Sequence, residues 1–220
     1  MEVNIHGSPS FAYLDIELAP GESIMAEADA MATMAADLDM KARLNGGLLS
    51  ALCKKLLGNE SLFINEFTNT RGENRRITLA QHNPGDITSI ELQGKTLCLQ
   101  PGAYIASTSR VRLGLQWAGF VSGLSREGFF RLTVSGEGSV WFGAYGGLIE
   151  KQVEGEFIVD TSHLVAYEPQ LKLKLQMAGG LISSIFSGEG LVTRIEGTGK
   201  IWLQTRSVSG LVGWLNPKLF

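Results

Sequence analysis

Asp160, Ser162 and His163 bring a carboxylate, a hydroxyl and an imidazole within four consecutive positions. These are the groups of nucleophilic acyl transfer. That chemistry needs them to converge in space, above a strained elbow and beside oxyanion donors. No elbow motif flanks Ser162, and a turn in which Asp160 accepts local hydrogen bonds explains the cluster more simply. Phosphate binding through Gly199-Lys200 fails on spacing. Ile201 follows the lysine where Ser or Thr is required, and Arg194 stands in place of the first glycine. His6, His82 and His163 have no paired ligand spacing, and Cys53 and Cys98 form neither a metal pair nor a disulfide framework. No catalytic residue, metal ligand or cofactor site is therefore assigned.

Three glutamates carry the next possibility. Glu60, Glu127 and Glu189 recur at one position of a repeated pattern, each beside a glycine or serine. Gathered on an axis, they would raise one another's pKa and form a small-molecule site. As turn residues, they would instead accept backbone N–H bonds, which is the commoner use and the preferred reading. Arg71, Arg75 and Arg76 make a small basic turn. The net charge of −3 and the absence of basic stripes argue against a nucleic-acid partner.

The elements that must position these residues come from a pattern that occurs three times. Its copies open at Gly21, Gly102 and Gly155 and span about 14–81, 96–146 and 148–207, within one domain of residues 1–220. Leu113-x-Leu115-Gln116-x-Ala118-Gly119 repeats as Leu173-x-Leu175-Gln176-x-Ala178-Gly179. Gly136-x-Gly138-x-x-Trp141 repeats as Gly197-x-Gly199-x-x-Trp202. Leu171, Leu173 and Leu175 alternate with Lys172, Lys174 and Gln176, a strand with one wet face. Short strands with glycine turns predict an all-β sandwich or barrel, in which stacked copies share a core that one copy cannot close. One short helix is expected over 47–57, and a last helical turn over Val208–Leu215, stopped by Pro217.

Each copy also carries an apolar loop: residues 48–57, 120–124 and 181–186. Leu48, Leu49, Leu52, Lys54, Lys55, Phe120, Leu181, Ile182 and Phe186 are the candidate interaction surface. Either the loops close the core, or they form a contact between copies. Contact with an anionic membrane through Lys54 and Lys55 ranks below both. No stretch of about 18 apolar residues exists, and the N-terminus lacks the form of a signal peptide, so the expected location is cytoplasmic.

The chain resembles the mitochondrial-biogenesis (altered inheritance of mitochondria) family and its bacterial relatives. The matching residues are Gly58-x-Glu60-Ser61-Leu62-Phe63-x-x-x-Phe67-Thr68, and Gly188-Glu189-Gly190-Leu191-Val192 through Trp202-Leu203-Gln204-Thr205-Arg206-Ser207. The resemblance implies a short double-stranded β-helix like that of the tryptophan RNA-binding attenuation protein, here triplicated with pseudo-threefold symmetry. It implies no reaction, because the mitochondrial relatives are linked to inner-membrane organisation as non-enzymatic factors. The expected role is a structural or interaction protein that forms homo-oligomers. A peripheral membrane factor and an axial small-molecule binding module are the alternatives.

Overall fold

Alternation of period two sets the strands. In Tyr13–Leu18, Leu14, Ile16 and Leu18 are fully buried, while Asp15 and Glu17 face outward. The computed structural model describes residues 1–44, 63–100, 102–117, 130–177 and 191–219. The helix expected over 47–57 lies outside them.

An N-terminal strand, β1 (Glu2–His6), precedes three stretches of strands. The first holds β2 (Tyr13–Leu18), β3 (Ser23–Glu27), β4 (Met31–Met34), β5 (Asp39–Leu44), β6 (Phe63–Thr68) and β7 (Arg75–Ala80). The second holds β8 (Ile87–Glu91), β9 (Thr96–Leu99), β10 (Tyr104–Thr108), β11 (Val111–Trp117), β12 (Phe130–Gly136) and β13 (Ser139–Gly143). The third holds β14 (Leu148–Asp160), β15 (Leu164–Tyr167), β16 (Lys172–Met177) and β17 (Leu191–Gln204).

All three stretches pair their strands in one order. In the first, β7 takes β2 and β4 as neighbours, and β6 takes β3 and β5. In the second, β13 takes β8 and β10, and β12 takes β9 and β11. In the third, the long β14 and β17 each do the work of two strands, with β15 and β16 alongside. A register shift recurs at one point: Met31/Thr33, Tyr104/Ala106 and Leu164/Ala166. Gly21 (φ 82°) and Gly94 (φ 79°) turn the chain between the first and second strands, and Gly155 (φ 88°) stands at the matching point inside β14. This left-handed backbone favours glycine. Gly102, expected to open the second copy, stands one strand later, before β10. The similar Gly-x-x-Ile spacing there belongs to a different turn.

The stretches are stitched together at two places. Strand β10 pairs with β3, and β15 pairs with β9. The result is a four-stranded sheet (β1-β2-β7-β4), a six-stranded sheet (β5-β6-β3-β10-β13-β8), and a seven-stranded one (β11-β12-β9-β15-β17-β14, with β16 on β17). Three hydrophobic cores result. The first joins Leu14, Ile16, Ile77 and Leu79 to Ile105, Ala106 and Trp141 of the next stretch. The second joins Val134, Val140 and Phe142 to Val165, Ala166 and Trp202 of the stretch after it. The third gathers Val153, Leu171, Ile195 and Ile201 around Cys98 and Tyr167. Strand β13 is thus buried on both faces, and the end of β17 packs on both sides at Ile201 and Trp202. Val140 and Phe142 on β13 and Ile201 on β17 fill their own core, and the tryptophan of each strand fills the preceding one.

Asn69 is fully buried and satisfied. Its side-chain amide donates to the carbonyls of Leu18 and Glu73, both at 2.8 Å, and its oxygen accepts from the Arg71 N–H at 3.0 Å. The last element is α1 (Val208–Leu219), capped by the Ser207 hydroxyl, which accepts from the Gly210 N–H at 3.1 Å. It runs past Pro217. That residue falls in the last turn, where it forfeits one backbone bond and has little helix left to break.

The Trp202 indole meets the Phe142 ring edge-on, centroids 6.0 Å apart, at the centre of the second core. Trp202→Ala should therefore cost about 3–5 kcal/mol in urea-induced unfolding. A loss under about 1 kcal/mol would show that the shared core does not hold the stretches together.

Candidate functional site

The hydroxyl, carboxylate and imidazole at the end of β14 are occupied by the backbone. A 3₁₀ turn, Thr161–His163, follows β14, and Asp160 caps it. The Asp160 Oδ1 accepts from the Ser162 N–H at 2.8 Å and from the Ser162 hydroxyl at 2.7 Å. The His163 Nδ1 lies 2.6 Å from the Gln204 carbonyl oxygen, to which it donates. The Ser162 hydroxyl thus donates its hydrogen bond to a capping carboxylate, while His163 is turned onto β17. This is the turn that the sequence favours, with no nucleophile–base pair.

A cavity of about 340 Å³ opens beside this turn. Gln81, Tyr145, Thr161, Ser162, Gln204 and Val208 are among its lining residues. Two of its glutamines, Gln81 and Gln204, are engaged with the backbone. The Gln204 Oε1 accepts from the Tyr145 N–H at 2.9 Å, and its Nε2 donates to the Ser162 carbonyl at 2.8 Å. The Gln81 Nε2 donates to the Ala144 carbonyl at 3.1 Å. These bonds tie the ends of the stretches together rather than present donors to a ligand.

The arginine turn is neutralised. The Arg75 Nε donates to both Asp37 carboxylate oxygens, at 2.8 and 3.0 Å, and its guanidinium reaches Glu73 at 3.3 Å. Arg76 pairs with Glu17 at 3.1 Å and Arg71 donates to the Asp37 carbonyl at 3.1 Å. Such a cluster has little field left for a phosphate backbone. No group of three His, Cys, Asp or Glu suited to a metal ion occurs among the described residues.

Glu60, Glu127 and Glu189 lie outside the described residues. So do Leu48, Leu49, Leu52, Lys54, Lys55, Phe120, Leu181, Ile182 and Phe186. The covalent chain nevertheless places the three segments alike. Each links the two strands of one hairpin, beyond the pairs Leu44↔Phe63, Trp117↔Phe130 and Met177↔Leu191.

Among the described residues, strand β4 pairs with β7 alone, and the Gly155–Asp160 half of β14 pairs with β17 alone. Exposed apolar side chains mark both: Met31 on the first (38% exposed) and Ile158 on the second (53%). Edges of this kind pair with further strands unless they are covered or charged. A groove of about 490 Å³ lies on the outer face of the β1-β2-β7-β4 sheet, lined by Phe11, Tyr13, Ala32, Thr78, Ala80 and His82 among others. Helix α1 carries a further unpartnered surface. Val208, Leu211, Val212, Trp214 and Leu219 are all exposed, and the Lys218 ammonium sits 4.8 Å above the Trp214 ring. Exposed strand edges are expected of such a fold, but the sequence does not say which strands carry them. One signal was present: Phe157-Ile158-Val159 breaks the alternation of a strand with a solvated face.

Residues 3–206 match the model of a family described as mitochondrial biogenesis AIM24. An uncharacterized protein of Streptococcus pyogenes serotype M6 is 25% identical over 228 aligned positions, covering 100% of this chain and 91% of that one. A crystal structure of a Streptococcus pyogenes protein superposes with a TM-score of 0.79 at 24% identity, covering 99% of each chain. No helix among the described residues is long and apolar enough to cross a membrane.

One titratable pair is sealed in the third core. Burial pushes the Cys98 thiol up, with the Tyr167 hydroxyl and the charge of Arg131 only partly opposing it. The Arg131 guanidinium lies 4.9 Å from the Tyr167 ring centroid. In a Cys53→Ser background, Cys98 should react with a thiol reagent only at the rate of global opening, because both access and thiolate are withheld. Fast labelling under native conditions at neutral pH would show that the junction between β9 and β15 opens locally.

Proposed function

The chain belongs to the mitochondrial biogenesis AIM24 family, and from that premise we propose that it is a non-enzymatic structural protein that works by associating with copies of itself. The observation that carries this reading is the pair of unpaired edges, β4 and the Gly155–Asp160 half of β14, each with apolar side chains in solvent. The committed state of Asp160, Ser162 and His163 removes the one cluster in the sequence that had the makings of a nucleophilic centre.

The finer reading of the fold goes with this proposal. The three stretches are copies of one unit, a short double-stranded β-helix like that of the tryptophan RNA-binding attenuation protein. Support comes from the recurring pairing order and the recurring register shift. A closed pseudo-threefold arrangement would also bring β4 against β14 within one chain, a pairing absent among the described residues.

A second reading is favoured by α1. Its exposed Val208, Leu211, Val212 and Leu219, with Trp214 and Lys218 beside them, suit a helix lying in a membrane interface. Here the surface is α1; the apolar loops expected to serve this reading lie outside the described residues.

Sedimentation velocity across the micromolar range tests the first reading. A weight-average mass that rises with concentration is expected; a mass fixed at that of the monomer would sink it. Cosedimentation with anionic vesicles, compared with a Leu211→Asp/Trp214→Asp variant, tests the second. Equal recovery of both proteins in the supernatant would remove it.

A further inference from the structure

We infer that β4 of one copy pairs antiparallel with the Gly155–Asp160 half of β14 in another, joining copies head to tail with Thr33 opposite Val159 and Met34 opposite Ile158. The inference rests on the self-association reading and supplies its surface and register.

The chain already contains this junction twice. Strand β10 meets β3 with Ala106 opposite Ala26 and Ser107 opposite Met25. Strand β15 meets β9 with Ala166 opposite Leu99 and Tyr167 opposite Cys98. Within each stretch, pairing identifies the matching positions. Thr33, Ala106 and Ala166 follow the same register shift and face Thr78, Trp141 and Trp202. Ala26, Leu99 and Val159 face Asn65, Leu132 and Thr193. Among the described residues, the first stretch thus presents the β10-type edge with no strand paired before it, and the third presents the β3-type edge with no strand paired after it. They are the two halves of one contact, left over at opposite ends of the strand order.

Exposure follows that logic. Tyr104 and Leu164 are buried at the internal junctions, and Met31 in their place is exposed. Cys98 is buried under the next stretch, and Ile158 in its place is bare. The two sides differ, so the contact is heterologous. Each added copy keeps one free edge of each kind.

The terminal junction lacks one part. Trp141 and Trp202 each fill the core of the stretch before them. Thr78 holds that place on the outer sheet, where its hydroxyl accepts from the Thr33 hydroxyl at 3.0 Å, and the 490 Å³ groove opens around it. Copies would therefore meet through the ladder and the Met34–Ile158 contact without an aromatic plug. That makes the junction between copies weaker than those inside the fold, and reversible.

Two proteins in a Cys53→Ser background, each with one introduced cysteine (Met34→Cys or Ile158→Cys) beside the buried Cys98, test the register. Mild oxidation of the mixture should give a covalent heterodimer, while neither protein alone gives a comparable dimer. Association in sedimentation without that cross-link would overturn this junction and leave the broader reading intact; no association at all would overturn both. A chain bearing both cysteines that forms only an intrachain disulfide would also overturn it, since the two edges would then close on each other. Thr78→Trp supplies the missing plug and should tighten association by about tenfold or more. Adding Ile158→Lys should cancel that gain, and tightening that survives Ile158→Lys counts against the proposed edge.

Discussion

The first two stretches of this chain do not close their cores alone, and the architecture follows from that shortage. A layer of short strands leaves apolar side chains facing out from one sheet, and the neighbouring stretch covers them. Here the cover is exchanged along the chain. The first core is completed by Ile105, Ala106 and Trp141 of the second stretch, and the second core by Val165, Ala166 and Trp202 of the third. The sheets are the structural expression of that exchange, since β3·β10 and β9·β15 turn what would be separate half-sandwiches into shared layers. Backbone hydrogen bonds and side-chain burial are satisfied at the same seams.

The all-β class was legible because alternation is a local property. Leu171, Leu173 and Leu175 announce a strand without any knowledge of their neighbours, whereas of the paired Gly-x-Gly-x-x-Trp segments only the one at Gly136 marks a turn, the other lying inside β17. What the alternation hides is which strand pairs with which. Gly102 and Gly94 both precede apolar runs with acceptable spacing, and only the pairing of β9 with β12 shows that Gly94 is the counterpart of Gly21. The repeated tryptophans do not say which core they fill. They pack into the preceding core, on the opposite side of the strand from the residues that fill their own: Val140 and Phe142 on β13, Ile201 on β17.

The candidate sites divide along the same line. Asp160 and Ser162 are two residues apart, so their hydrogen bond was a local matter and the turn reading could be reached from sequence. His163 meets the Gln204 carbonyl across 41 positions, which no spacing argument reaches. The free edges were hidden for a deeper reason. An edge is defined by the absence of a neighbour, and absence depends on the whole topology.

The long ladder of β14 and β17 has a consequence of its own. In the first two stretches, turns at Gly21 and Gly94 separate the strands that serve different layers. In the third, thirteen consecutive pairs, from Leu148↔Gln204 to Asp160↔Val192, run unbroken from the second core into the third. A solenoid whose units are joined only by interfaces can fray one unit at a time. Here, peeling the last unit away means breaking strands that also carry the middle one. The third stretch is thereby made one cooperative unit with the part of the second core that Trp202 fills.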